Sequence, residues 1–289
     1  MSEVETDGLG EAEGAAPGPT LGPTPKVRAP ALAFVIGAIV ALCGGGVVVA
    51  VVLSDTLLTS RARAALVERG VVCDERFALD ANWSLSEVTL APTRCQLTEV
   101  DFASAIELPE GATAHLSGLS ATDLSVPSAR VFLIDAPHAD VDLGGLGPLG
   151  SLGLGALSDV GSHVAATARA ASELAAREPI PTGVGRLELV HRDRVVVTFE
   201  TLEIGGGQPT TLRAARVSLA EMTGPMGMAL GGSIDALIGT ATASTCHLEG
   251  DLNIGARLPV LGAIGTAVHV ILDGSALDTD APTFSVTGS

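Results

Sequence analysis

The four cysteines carry the most direct chemistry in this chain, and their spacing limits what that chemistry can be. Cys43 lies inside an apolar run, Cys73 and Cys95 flank a short strand-rich segment, and Cys246 follows far downstream. No CxxC pair occurs, so the sequence does not favour a zinc ribbon or a thioredoxin-like site. Cys73 and Cys95 either form a disulfide, which requires an oxidising compartment outside the cytoplasm, or are two small buried hydrophobic side chains.

Two further patterns could support chemistry, but each has a simpler structural interpretation. His138, Asp140 and Asp142 alternate, so a strand would place them on one face as a metal triplet or, with apolar residues between them, as a solvent-exposed face. Residues 145–150 read GxGxxG, but nucleotide binding needs a helix to begin there, and Pro148 opposes one. Hydrolase, zinc-protease and Walker motifs are also absent from the sequence. We therefore expect no catalytic residue, metal site or cofactor, and a protein that is not an enzyme.

Charge and composition exclude one large class of partners. The formal net charge is -17, and hydrophobic residues make up 47% of the chain but aromatic residues only 2%. Binding of nucleic acid needs basic side chains for the phosphates and commonly aromatic side chains for the bases. We therefore exclude nucleic acid as a partner and expect a core built from small and branched aliphatic side chains.

The longest apolar run covers residues 31–53 and predicts a membrane anchor. It contains no charged residue, and as a helix it would be about 35 Å long, enough to cross a hydrocarbon core of about 30 Å. Residues 1–30 are acidic and rich in Gly and Pro, so we expect a disordered tail. A cleaved signal peptide or a lipoprotein signal at Cys43 are the alternatives, but the long acidic leader and Leu42 disfavour them. We predict a single, uncleaved transmembrane helix in the lipid bilayer.

The predicted span also suggests an oligomeric contact and an orientation. Ala33, Gly37, Ala41 and Gly45 recur every four residues and form one face of small side chains, through which two spans could pack into a homo-oligomer. Small residues are common throughout the chain, however, so this face alone does not establish pairing. Basic residues lie on both sides of the span, but a long folded domain translocates largely regardless of charge. We expect a cytoplasmic N-terminus and a periplasmic, or otherwise extracytoplasmic, C-terminal domain.

Beyond the span, the sequence predicts a stalk helix over residues 54–70 and a β-rich domain over residues 71–289. Short segments of this domain alternate apolar and polar residues, which is typical of half-buried strands in an antiparallel sheet. We expect a mainly β fold with a curved or sandwich-like sheet and one internal amphipathic helix, over residues 159–177. The domain is either one unit or two halves, 71–178 and 179–289.

The clearest predicted hairpin lies early in the second half. Apolar residues at 187 and 189 precede a turn at residues 192–193, and Val195, Val197 and Phe199 follow it at spacing of two. This alternation places those three side chains on one face of a strand.

The order of these parts resembles AsmA-like envelope proteins of Gram-negative bacteria and, more loosely, single LEA-type β-domains. The residues that carry the resemblance are the N-terminal anchor, ALVERGVVCD at 65–74, SLSEVTLAPTRCQLTEVDF at 84–102 and ATDLSVPSARVFLIDAPHADVDL at 121–143. Proteins of that kind present a curved sheet whose apolar inner face contacts lipid, so the resemblance implies a lipid ligand but assigns no site residue. The alternative is a non-enzymatic structural or interaction domain of the cell envelope, whose acidic surface and tail bind partners.

Overall fold

The computed structural model describes residues 54–82, 84, 86–98, 103–117, 120–134, 140–145, 180–223, 229–258, 262–277 and 283–288. The predicted tail, the predicted span at 31–53 and the predicted internal helix at 159–177 lie outside these residues. Among the helices of the described part, none is long and apolar enough to cross a membrane.

The described chain forms one helix and a 15-stranded sheet, so the mainly β prediction is confirmed. The helix is α1 (Ser54–Val67). The strands are β1 (Val71–Cys73), β2 (Leu79–Ala81), β3 (Glu87–Leu90), β4 (Thr93–Leu97), β5 (Ala103–Leu108), β6 (Ala112–Ser117), β7 (Ser120–Leu133), β8 (Asp140–Gly145), β9 (Thr182–His191), β10 (Arg194–Ile204), β11 (Thr210–Thr223), β12 (Ala229–Ala241), β13 (Thr245–Leu258), β14 (Gly262–Ser275) and β15 (Thr283–Gly288).

A single sheet contains all fifteen strands. Its main path runs β1-β4-β5-β7-β9-β10-β11-β12-β13-β14-β15-β8, and a branch of β2, β3 and β6 joins β7 beside β5. The pairings are antiparallel as predicted, except that β7 pairs parallel to β9 and β15 pairs parallel to β8. The pairing of β7 with β9 also joins the two predicted halves, 71–178 and 179–289, within one sheet.

The connection from β7 to β8 requires this sheet to curl. Leu133 and Asp140 are seven residues apart in the chain, so their Cα atoms lie within about 25 Å. Eight strand spacings separate β7 from β8 along the sheet, and in a flat sheet these would span about 38 Å. The sheet is accordingly curved and open, and the face that carries its buried apolar side chains is the inner one.

The helix α1 packs on the edge strands of the N-terminal region. Ala62 and Leu66 are buried in the same core as the strands. The Thr59 hydroxyl accepts a hydrogen bond from the backbone N–H of Leu79 at 3.0 Å, and the Arg63 guanidinium donates to the backbone carbonyl of Phe77 at 3.1 Å. Side chains of the helix therefore satisfy backbone groups near β2 that a free edge would expose.

The end of the helix differs slightly from the predicted stalk. A turn replaces the last three residues of the predicted helix 54–70, and Gly70 adopts φ 77°. Glycine takes this left-handed conformation without the steric cost of a Cβ atom, so it can end a helix and begin a strand.

A row of breaks in the apolar alternation crosses the sheet at one level. In each of five strands two successive residues both point away from the core, so the apolar alternation shifts by one residue, and Thr201 and Ala236 take φ 52° there. The breaks lie at matching positions on neighbouring strands, so the pairing stays in register across them. We call this row the crease. It lies between Val126 and Ala129, Val184 and Leu187, Phe199 and Leu202, Ala214 and Val217, and Ile234 and Leu237.

Candidate functional site

The inner face of the sheet is apolar across β7 and β9–β14, and its side chains line up in rows. One row consists of Phe199, Val217, Ile234, Leu252 and Val268, which the strand registers place side by side on β10 to β14. Aliphatic side chains therefore cover this row on four of its five strands. We call the apolar side of the whole sheet the inner face.

Burial along this row falls from β10 towards β14. Phe199 and Val217 are 8% and 4% exposed, and they belong to the main hydrophobic core. Ile234, Leu252 and Val268 are only half-buried, although they lie in the same row. The inner face therefore changes from a closed core into a partly exposed apolar surface.

A second row shows the same change, and a buried row of Leu202, Ala214, Leu237 and Val270 lies between the two. Ile204 on β10 is buried, whereas Leu212, Leu248 and Leu272 on β11, β13 and β14 are half-buried. The rows on either side of this buried row therefore leave aliphatic surface accessible, one on β12 to β14 and the other on β11, β13 and β14. A core that served stability alone would gain free energy by covering this surface.

The outer face at the crease carries charged side chains in register. Arg216 Nε lies 2.7 Å from Asp235 Oδ1, and Asn253 donates to Asp235 Oδ2 at 2.9 Å. The hydrogen bond from Arg216 lowers the pKa of Asp235 and raises the pKa of Arg216 itself. Asp251 lies opposite Asp235 and pairs with His269 on the next strand at 3.0 Å. At this level the outer face is therefore a charged, solvent-exposed surface, in contrast to the apolar inner face.

One carboxylate on the outer face is buried, and two guanidinium groups neutralise it. The side chain of Glu188 is 10% exposed, Arg130 Nε approaches it at 2.8 Å, and Arg186 approaches it at 2.8 Å. A buried carboxylate is tolerated only when paired and hydrogen-bonded in this way. Glu188 therefore holds β7 and β9 together and is not a free acid for catalysis.

The structure brings together the two cysteines that the sequence singled out. Cys73 and Cys95 lie directly opposite each other on β1 and β4, with an S–S distance of 2.07 Å. Cys246 is free and buried, and burial together with the nearby charge of Asp273 raises the pKa of its thiol to about 11. A thiol with such a pKa is protonated at neutral pH and is a poor nucleophile.

Other sequence-predicted sites fall wholly or partly outside the described residues. The small-residue helix face (Ala33, Gly37, Ala41, Gly45) lies outside them. Of the histidine–aspartate triplet, Asp140 and Asp142 belong to β8, whereas His138 is not described. The GxGxxG segment begins at Gly145, the last residue of β8, and its remainder is also outside.

Three histidine–aspartate pairs emerge only from the strand registers. His115 pairs with Asp123 at 2.7 Å, and the others join His247 to Asp273 at 2.6 Å and His269 to Asp251 at 3.0 Å. The partners are 8, 26 and 18 residues apart in sequence, so no local motif predicts them. They are exposed pairs, and within the described part of the chain no group of three or more His, Cys, Asp or Glu could hold a metal ion.

Comparison with known proteins adds no relative to these observations. No protein-family model, curated protein or solved structure matches the chain. The features of the chain that bear on its function are therefore the inner face, the outer face and the sequence before them.

Proposed function

We propose that this protein is a single-pass, membrane-anchored envelope protein whose sheet contacts lipid acyl chains through its inner face. The observation that carries the proposal is the row of Ile234, Leu252 and Val268, which stays half-buried although the same row is buried on β10 and β11. Acyl chains are slender and aliphatic, and these side chains offer a matching surface without aromatic rings or charges.

The energetics favour contact with lipid over contact with water. Covering the remaining exposed area of one such side chain stabilises the complex by roughly 0.5–1 kcal/mol at about 25 cal/mol per Å². Leu212, Leu248 and Leu272 in the second row add surface of the same kind. Together the two rows can supply several kcal/mol, whereas the ion pairs of the outer face keep that side in water.

The proposed placement follows from the order of the chain. The predicted span at residues 31–53 ends immediately before α1, so the sheet lies close to the bilayer surface. A disulfide between Cys73 and Cys95 supports a domain outside the cytoplasm, since reducing conditions inside the cell prevent such bonds from persisting. The N-terminus is then cytoplasmic and the domain is periplasmic or otherwise extracytoplasmic.

The proposal can be tested with a phospholipid that carries a photoactivatable acyl chain. The full-length protein in vesicles is irradiated, and the labelled peptides are identified by mass spectrometry. We expect labels on β11 to β14. Ile234→Asn places a polar group on the inner face and should reduce labelling at least threefold, because the amide would have to lose its water to meet an acyl chain.

The chain offers a matched control on the same strand. Ile238 is 44% exposed on the outer face of β12, so Ile238→Asn makes the same chemical change without altering the inner face. Labelling should persist in this variant. Equal labelling in the two variants, or no labelling of the β11–β14 peptides, would contradict lipid contact and favour a structural or interaction domain.

A further inference from the structure

The sheet ends differently on its two sides. On the N-terminal side, β1 and β2 have three residues each, and α1 packs against both. The Thr59 hydroxyl bonds to the backbone N–H of Leu79, so the helix occupies the edge of β2. Short and covered edges of this kind prevent pairing with another chain.

On the C-terminal side, part of one edge of β14 has no partner strand among the described residues. β15 pairs with β14 only over residues 270–275 of β14. Residues 262–269 pair with β13 on one side and, among the described residues, have no partner strand on the other. This open segment has eight residues and is about 26 Å long. Its outward N–H and C=O groups form a template for a further strand.

The composition of this segment does nothing to discourage pairing. Residues 262–268 read GAIGTAV and contain no charged residue and no proline, although 17% of the whole chain is charged. Natural edge strands usually carry a lysine, an inward-pointing charge or a proline that blocks association. The segment is therefore uncharged, whereas the chain as a whole has a net charge of -17 and repels other copies of itself.

We propose that the edge at residues 262–269 pairs antiparallel with the same edge of a second copy of this chain. Antiparallel backbone pairing is self-complementary about a two-fold axis, so one patch on each copy is sufficient. Val268 is half-buried on the inner face at this edge. Pairing therefore joins the inner faces of the two copies into one apolar surface.

The first test measures the mass of the full-length chain by sedimentation equilibrium in density-matched detergent. Ala267 is exposed on the outer face of the edge strand, so Ala267→Lys leaves the core unchanged and brings like charges together in the dimer. We expect its dimer dissociation constant to rise at least tenfold. Gly255→Lys adds the same charge one strand further in, where a Cβ atom meets only a carbonyl oxygen at 3.9 Å, and should leave the constant unchanged.

The second test separates this edge from the predicted span. Amide exchange of residues 262–269 should slow at least tenfold between dilute and concentrated protein, because pairing protects their outward N–H groups. A chain that stays monomeric, a dimer that survives Ala267→Lys, or a dimer that is lost on Gly37→Leu with Gly45→Leu but not on Ala267→Lys would each overturn the proposal. Lipid labelling of the monomer is measured separately, so either proposal can fail without the other.

Discussion

Removal of the cross-link between Cys73 and Cys95 tests how the N-terminal edge of the sheet is held. The two residues face each other on β1 and β4, and β1 is an edge strand of three residues. Replacing both by alanine deletes the bond and leaves the three backbone pairings of β1 with β4. The folded region around α1 then relies on those pairings, on packing of Ala62 and Leu66, and on the hydrogen bonds of Thr59 and Arg63.

The expected loss follows from the loop that the bond closes. Its residues are 22 apart in the sequence, and a cross-link of that span lowers the entropy of the unfolded chain by about 11 cal/mol/K. At 25 °C this corresponds to about 3 kcal/mol of stability. With a urea m-value of about 3 kcal/mol/M, the unfolding midpoint should fall by about 1 M.

Urea unfolding followed by circular dichroism gives the free energies, and Cys246→Ala is the control. Cys246 is equally buried but free, so its replacement removes a sulfur atom without changing any loop and should cost only about 1 kcal/mol. A double variant at Cys73 and Cys95 that loses no more than twice the control would refute the cross-link argument. Four reactive thiols instead of two in the unfolded, non-reduced chain would refute it as well.

Three further predictions concern single groups. The thiol of Cys246, whose pKa burial raises to about 11, should resist a thiol reagent at pH 8 until urea unfolds the chain, and rapid labelling of the native protein would contradict this. Burial raises the pKa of Asp74, but hydrogen bonds from Thr93 and from two backbone N–H groups outweigh it and lower the pKa overall. The stability that Asp74 contributes is therefore present above the unfolded pKa near 3.8 and is lost as the pH falls through the lower folded pKa. Thr93→Val should make this acid-dependent loss smaller, and identical slopes between pH 6 and pH 2 would contradict it. Gly185→Ala would place a Cβ atom 2.6 Å from a backbone oxygen of β7 and should lower the free energy of unfolding by about 1–3 kcal/mol. The control Gly183→Ala places its Cβ atom where nothing lies within 4 Å and should lower it by less than about 0.5 kcal/mol. Equal losses of stability in the two variants would contradict the close approach of β9 to β7.

Local patterns predicted the elements whose causes are local. The turn at Arg192 and Asp193 follows from two polar residues between alternating apolar runs, and both residues adopt positive φ, 49° and 60°. A two-residue turn of this kind matches the twist of the strands it joins. The helix before Gly70 was likewise predictable from its spacing and its terminal glycine.

The alternation of apolar and polar residues did not predict the face of every side chain in β10. Val195, Val197 and Phe199 were predicted on one face, but a bulge lies between Val195 and Val197. As a result, Val195 is 39% exposed on the outer side while the other two are buried. Nothing in the local pattern marks this bulge, because its cause is the register with the neighbouring strand.

The strand β12 was not predicted at all. Its sequence, ALGGSIDALIGTA, is rich in glycine and alanine, which have low strand propensity. Pairing with β11 and β13 on both sides holds it in place. The folded sheet explains the glycine at position 239, because a side chain there would collide with the backbone oxygen of His247.

The inner face depends on the same irregularities that conceal it in the sequence. If β10 alternated without a break, Leu202 would point to the opposite face from Phe199, because the two residues are three apart. The break at Thr201, which takes φ 52°, restores Leu202 to the inner face, and breaks at the same level of the neighbouring strands keep the rows aligned. A surface that spans β10 to β14 is thus assembled partly from runs that individually appear out of phase. The proposed lipid contact is for this reason a property of the registers and not of any single motif.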